Sequence, residues 1–188
     1  MPDLAAFRAT ICGIDELPAH GSSGVTHLLS LLDPDWPQPE AWREFDAPAR
    51  LDLRFHDIVD PAPGQRAPSR EDVAALLGFG SVLSPRSHLL VHCHKGLSRS
   101  TAALALIYAA AHPDVSAAAV IAEVVRMRPR AWPNLLLIEL GDATLGRKGT
   151  LVEAVAARYR ARIAERPHIV AAMIEMGRAR ELKVAGIA

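Results

Sequence analysis

His88-Leu89-Leu90-Val91-His92-Cys93-His94-Lys95-Gly96-Leu97-Ser98-Arg99-Ser100-Thr101-Ala102-Ala103-Leu104-Ala105-Leu106-Ile107-Tyr108 is the stretch that decides the fold. Its first residues form a short apolar run, bounded upstream by Ser84-Pro85 and downstream by Gly96. A run of that length suits a strand buried on both faces of a parallel sheet. From Thr101 onward the residues favour helix and are apolar on every side, as a helix central to the fold requires. The order is therefore strand, tight loop, buried helix.

Working outward, Phe7 to Ile14, Val25 to Leu32 and Arg50 to Phe55 read as further short strands, the last alternating Leu51, Leu53, Phe55. His20-Gly21-Ser22-Ser23-Gly24 breaks the first pair. Pro34, Pro37 and Pro39 exclude regular helix or central strand over residues 33–39. Residues 57–68, with Pro61, Pro63, Gly64 and Pro68, read as an irregular surface loop of the kind that often carries function. Ser69, followed three residues later by Asp72, marks the start of a helix that ends near Gly78 to Gly80. Beyond His112-Pro113 the chain reads as helical: Ser116 to Met127, Pro133 to about Leu145, and about Thr150 to Lys183, with Pro167 kinking or splitting the last stretch. Strands first and helices last predict a single α/β domain over residues 1–188, with a central, mostly parallel sheet flanked by helices. Its core spans about residues 7–145, and residues 146–188 form a helical C-terminal extension.

The chemistry lies in the loop. Five residues, His94 to Ser98, separate Cys93 from Arg99, so a thiol and a guanidinium bracket a turn that runs into a helix N-terminus. Unpaired N–H groups and the positive dipole end there make a cradle for an anion, and a phosphoryl group fits it. Gly96 permits backbone angles or a close approach that a side chain would forbid. Arg99 can hold two phosphate oxygens with its planar fork. A thiol on the floor of such a cradle is stabilised as thiolate, which makes Cys93 a candidate nucleophile. Ser100 can donate to the sulfur, and His92 can buttress the loop; both also have plain structural readings.

Val91 to Thr101 resembles the His-Cys-x5-Arg-Ser/Thr signature of the cysteine-based protein tyrosine phosphatases, nearest their dual-specificity-like branch. Arg128-Pro129-Arg130-Ala131-Trp132-Pro133-Asn134 resembles the segment before a late helix in that branch. The likeness covers about residues 7–145 and is sharp only at these two places. It implies a phosphatase-like fold and attack of Cys93 on phosphorus. Arg99 and the loop residues His94, Lys95, Gly96, Leu97 and Ser98 hold the phosphoryl oxygens, and a cysteinyl-phosphate is then hydrolysed without metal or cofactor. It also implies an upstream aspartic acid that protonates the leaving oxygen. Asp57, directly after the strand ending at Phe55, fits that role better than Asp60. Asn134 resembles a residue that braces the catalytic loop, although Pro133-Asn134 is equally a helix start. His94 and Lys95 either add positive charge that favours inositol phosphates or phosphoinositides, or simply face solvent. The implied partner is a phosphorylated protein or a small phosphorylated molecule. The alternative class is a phosphate-binding pseudophosphatase that keeps the cradle without turnover.

Bulk properties narrow the remaining classes. Lysine plus arginine equals aspartate plus glutamate, 21 each among 188 residues, so no global field points to nucleic acid or an anionic membrane. The N-terminus has no signal-peptide pattern and no apolar run reaches a membrane span, which reads as cytoplasmic. Two cysteines are too few for a disulfide framework, and Cys12 reads as a buried strand thiol. The histidines outside the loop lack ligand spacing, so no metal is expected. Trp36 and Trp42 read as packing residues, and Arg158, Arg160, Arg162 and Arg166 as a solvated helix face.

Overall fold

A computed structural model describes residues 6–46 and 48–187. Strands β1 (Arg8–Gly13), β2 (His27–Leu32), β3 (Ala49–Arg54) and β4 (His88–Cys93) form one four-stranded sheet in the order β1-β4-β2-β3. Every pairing is parallel. The chain is thus an α/β protein with a wholly parallel sheet. β4, whose six residues are all buried, occupies an inner position, while β3 lies at an edge and turns Arg50, Asp52 and Arg54 outward between Leu51 and Leu53.

Side-chain alternation divides the core between the two faces of the sheet. Ile11, Leu29, Leu31, Leu89, Val91 and Cys93 face the helices. Cys12, Leu28 and Leu90 face the other way, where Leu17, Trp42 and Phe45 cover them. Leu17 and Trp42 come from 3₁₀ turns over Ile14–His20 and Glu40–Glu44, which the breaks at residues 20–24 and 33–39 did not announce. Burial also explains Cys12: it is almost wholly enclosed, and desolvation pushes its thiol up to about 12.

Helix α1 (Arg70–Ser81) starts at Ser69, whose Oγ accepts from the Asp72 N–H while the Asp72 carboxylate accepts from the Ser69 N–H at 2.8 Å. Helix α2 (Arg99–Ala111) is buried along nearly its whole length, and α3 (Ala117–Met127) and α4 (Leu135–Thr144) pack against it. The C-terminal stretch divides twice rather than once. Helix α5 (Thr150–Glu165) ends before Pro167, and α6 (Ile169–Glu175) ends before Gly177, which takes a positive φ and starts α7 (Ala179–Val184) in a new direction. Leu151, Val155, Tyr159 and Ile163 of α5 belong to the same apolar core as the sheet. The arginine row of α5 is not uniformly solvated. Arg162 is buried and pairs with Glu165 at 2.7 Å, and Arg158 donates to the Ala131 carbonyl at 3.1 Å. Arginine stems cover apolar surface while their forks satisfy backbone carbonyls, so the linear pattern alone misassigns them.

Candidate active site

Because the strands are parallel, their carboxyl ends gather on one edge of the sheet, where α/β folds place their ligands. Asp33 follows β2, Phe55 and Asp57 follow β3, and Cys93 ends β4. Strand alternation then aims two consecutive residues of β4 oppositely. Cys93 faces α2, and His92 points into the other face, where its Nε2 accepts from Trp42 Nε1 at 3.3 Å. Burial pulls the His92 pKa down to about 4, so the ring is neutral and its proton sits on Nδ1, the nitrogen away from Trp42.

Cys93 is 3% exposed, and its Sγ lies 3.3 Å from Ser100 Oγ in the first turn of α2. The loop between them wraps tightly over the end of β1. Gly96 has φ +66°, and a Cβ there would stand 2.5 Å from the Cys12 carbonyl carbon, so both reasons for glycine apply at once. Arg128 fastens the outside of the turn, donating to Gly96 O at 3.1 Å and Lys95 O at 3.0 Å. The Leu97 carbonyl accepts from the Trp132 N–H at 2.8 Å.

Arg99 is buried and already partly engaged. Its Nη1 donates to Asp33 Oδ1 at 2.7 Å and to the Phe55 carbonyl, whereas its Nε is buried with no partner among the described residues. A fork anchored on one side and unpaired on another suits a bidentate oxyanion. Asp33 lies at the start of the segment 33–39, whose prolines marked it only as a break in regular structure. The available signal was its position as the first residue after β2.

Asp57 lies at the centre of a second network. Its Oδ1 accepts from Ser98 Oγ at 2.7 Å and from Asn134 Nδ2 at 2.8 Å, and lies 3.3 Å from Arg178 Nη1. Burial raises the carboxyl, but the charges of Arg178 and Arg99 and the two hydrogen bonds outweigh it and hold Asp57 below the ordinary carboxylate range. Asp60 instead pairs with Arg180 Nε at 3.0 Å.

The Ser98 side chain joins Asp57 and Arg178. Two expectations need correction, those for Asn134 and Trp36. The Asn134 side chain caps α4 through Leu137 N at 2.9 Å and braces the Asp57 loop through Asp57 and Ile58 O; only its backbone N–H reaches the Cys93–Arg99 loop, at Ser98 O. Trp36 does not pack into the core: it is 44% exposed, with its ring centroid 4.3 Å from that of His94. His94 and Lys95 do lie at the rim, but beside acids: His94 Nε2 is 3.9 Å from Asp33, and Lys95 Nζ is 3.9 Å from Asp15. Burial and the Arg99 charge hold the His94 pKa below its usual value, against the opposing pull of Asp33 and Asp57. Among the described residues no cluster of three or more metal-ligating side chains occurs, and no helix is long and apolar enough to cross a membrane.

No protein-family model matches the chain, and no curated protein matches it. Solved structures do. Human DUSP28 aligns with a TM-score of 0.51 at 19% identity, over 76% of this chain and 97% of its own. Tk-PTP in its active form gives 0.52 at 21% identity, over 76% and 95%. PTPMT1 in complex with PI(5)P gives 0.54 at 13% identity, over 81% and 94%. The chain therefore has the fold of the cysteine-based phosphatases of the dual-specificity-like branch.

Proposed function

We propose that the protein is a cysteine-dependent phosphomonoester hydrolase acting on aryl phosphates, with phosphotyrosine as the natural chemical class. The observation that carries this reading is the seating of Cys93 Sγ 3.3 Å from Ser100 Oγ in the first turn of a buried helix, next to an Arg99 whose Nε is buried and unpaired. A phosphoryl group takes the loop N–H groups and the free edge of Arg99, and Sγ attacks phosphorus in line with the departing oxygen. Asp57 delivers its proton to that oxygen. Water then hydrolyses the cysteinyl-phosphate, and Ser100 donates to the sulfur as it leaves.

Trp36 supports the aromatic substrate, because an exposed indole beside the loop offers a face on which an aryl ring can stack. The rim supports a phosphoinositide or inositol phosphate less well, since Asp33 and Asp15 offset the charge expected of His94 and Lys95. In the test, purified protein hydrolyses para-nitrophenyl phosphate without added metal, vanadate inhibits it, and Cys93→Ser loses turnover. Phosphotyrosine peptide is turned over faster than phosphoserine peptide or inositol phosphates. Turnover that survives Cys93→Ser sinks the mechanism. Binding of phosphate without turnover moves the protein to the pseudophosphatase class.

A further inference from the structure

The C-terminal segment reaches back to the acid loop at each of its carboxylates. Arg178 Nη1 lies 3.3 Å from Asp57 Oδ1, and its Nη2 donates to Ser98 Oγ at 3.0 Å, so one guanidinium touches both the acid loop and the catalytic loop. Two positions on, Arg180 pairs with Asp60 at 3.0 Å and donates to the Val59 carbonyl. Both ends of residues 57–60 are therefore held from the same short piece of chain.

That piece is itself anchored in the core. Glu181 is fully buried and accepts from Arg178 Nε and Nη2 at 2.8 and 2.7 Å, Trp132 Nε1 at 2.6 Å, Leu135 N at 3.2 Å and Tyr159 Oη at 3.1 Å. A carboxylate buried without such partners would be strongly disfavoured, so this degree of satisfaction marks a fixed platform. Burial alone would weaken the Arg178 charge, but Asp57 and Glu181 keep it firmly protonated. The contacts on Asp57 are also one-sided: Ser98, Asn134 and Arg178 all meet Oδ1. Held by one oxygen, the Asp57 side chain has its orientation fixed and leaves Oδ2 to carry the proton, which it holds in acidic solution because the Arg178 charge favours the carboxylate.

We propose that Arg178, Arg180 and Glu181 are positioning residues, a clasp that sets the acid loop over the catalytic loop and presents Asp57 through Oδ2 to the leaving group. The inference rests on the reading of Asp57 as proton donor. The C-terminal extension is then a working part of the active site.

The test uses the full-length chain with two variants. Arg178→Lys keeps the charge but loses the fork that spans Ser98, Asp57 and Glu181, and Arg180→Gln alters a more exposed residue, so folding is preserved in at least the second. The ratio of kcat/KM for para-nitrophenyl phosphate to that for phenyl phosphate reads the acid, because only the poorer leaving group depends strongly on protonation. It rises about tenfold in Arg178→Lys and several-fold in Arg180→Gln. In an Asp57→Asn background Arg178→Lys adds nothing to the ratio, as expected of residues acting as a unit. A loss equal for both substrates, or one that adds to Asp57→Asn, overturns the clasp while leaving the proposed hydrolase intact. Deuterium exchange of residues 57–60 reads the clasp without any substrate: it accelerates about tenfold in both variants, and unchanged exchange overturns the proposal whatever the activity.

Discussion

Two regions of this molecule serve one site by opposite means. Residues 88–111 build the cradle from a single continuous run, in which the end of β4, the turn and the start of α2 each follow from local sequence. Residues 178–181 hold the loop 57–60 from the far end of the chain, with Arg180 meeting Val59 across 121 positions. The first region is made by strand alternation, a glycine and a helix dipole. The second depends on the ion pair of Arg178 with Asp57, partners that only the fold brings together. On the proposed reading, the site combines a nucleophile that local structure places with a proton donor that tertiary structure places.

The largest effect tests the local half. Cys93→Ser lowers kcat on para-nitrophenyl phosphate by on the order of 10⁴-fold or more, measured under saturating substrate. A residual rate near wild type would leave the cradle as a binding feature only. The tertiary half is probed next. Asp57→Asn lowers the phenyl phosphate rate by roughly 10²–10⁴-fold and the para-nitrophenyl phosphate rate by much less. If instead Asp33→Asn produces that pattern and Asp57→Asn does not, the donor belongs to the residue after β2, and the contrast between the regions collapses.

The pH profile sharpens the same point. Asp57 is held below the ordinary carboxylate range, so its acid form is depleted as pH rises through that lowered value. The phenyl phosphate rate is therefore greatest in acidic solution and falls toward neutrality by up to about tenfold per pH unit on that limb. In Asp57→Asn this limb disappears. A limb unchanged by the substitution would assign it to another group.

Smaller effects belong to the walls of the site. Gly96→Ala meets both a positive φ and the Cys12 backbone at 2.5 Å, and costs about 2 kcal/mol or more in denaturant unfolding, with loss of activity. Trp36→Ala raises KM for aryl phosphates about 2- to 10-fold and leaves kcat for para-nitrophenyl phosphate within about twofold, as a stacking contact requires. Equal effects on aryl and alkyl phosphates would remove Trp36 from recognition.

The contrast also explains what sequence could convey. The buried strand, the glycine turn and the apolar helix were legible, because a short continuous apolar run, composition and a short fixed spacing each constrain neighbouring residues. The parallel pairing of the sheet followed the expected class. Arg178 and Glu181 were not legible: in Gly177-Arg178-Ala179-Arg180-Glu181 they look like any polar turn of a surface helix, and nothing in their spacing encodes Asp57, Ser98, Trp132 or Tyr159. Trp36 was misjudged because an indole in a proline-rich loop gives no sign of which way the loop folds. Asp33 sat at a readable position, the first residue after a strand, yet its meaning depended on the strand order that brings β2 beside β4. Asn134 carried two readings, helix cap and brace, and its two amide ends serve both, with the brace on the acid loop rather than on the catalytic one.

The central claim is that Cys93 forms a covalent bond to phosphorus during turnover. Rapid acid quenching of the wild-type protein with phosphotyrosine peptide, followed by peptide mass analysis, tests it directly. One phosphoryl group is expected on the peptide containing Cys93, appearing before free phosphate and absent in Cys93→Ser. Steady turnover with no adduct on Cys93, or with the phosphoryl group on another residue, would contradict it.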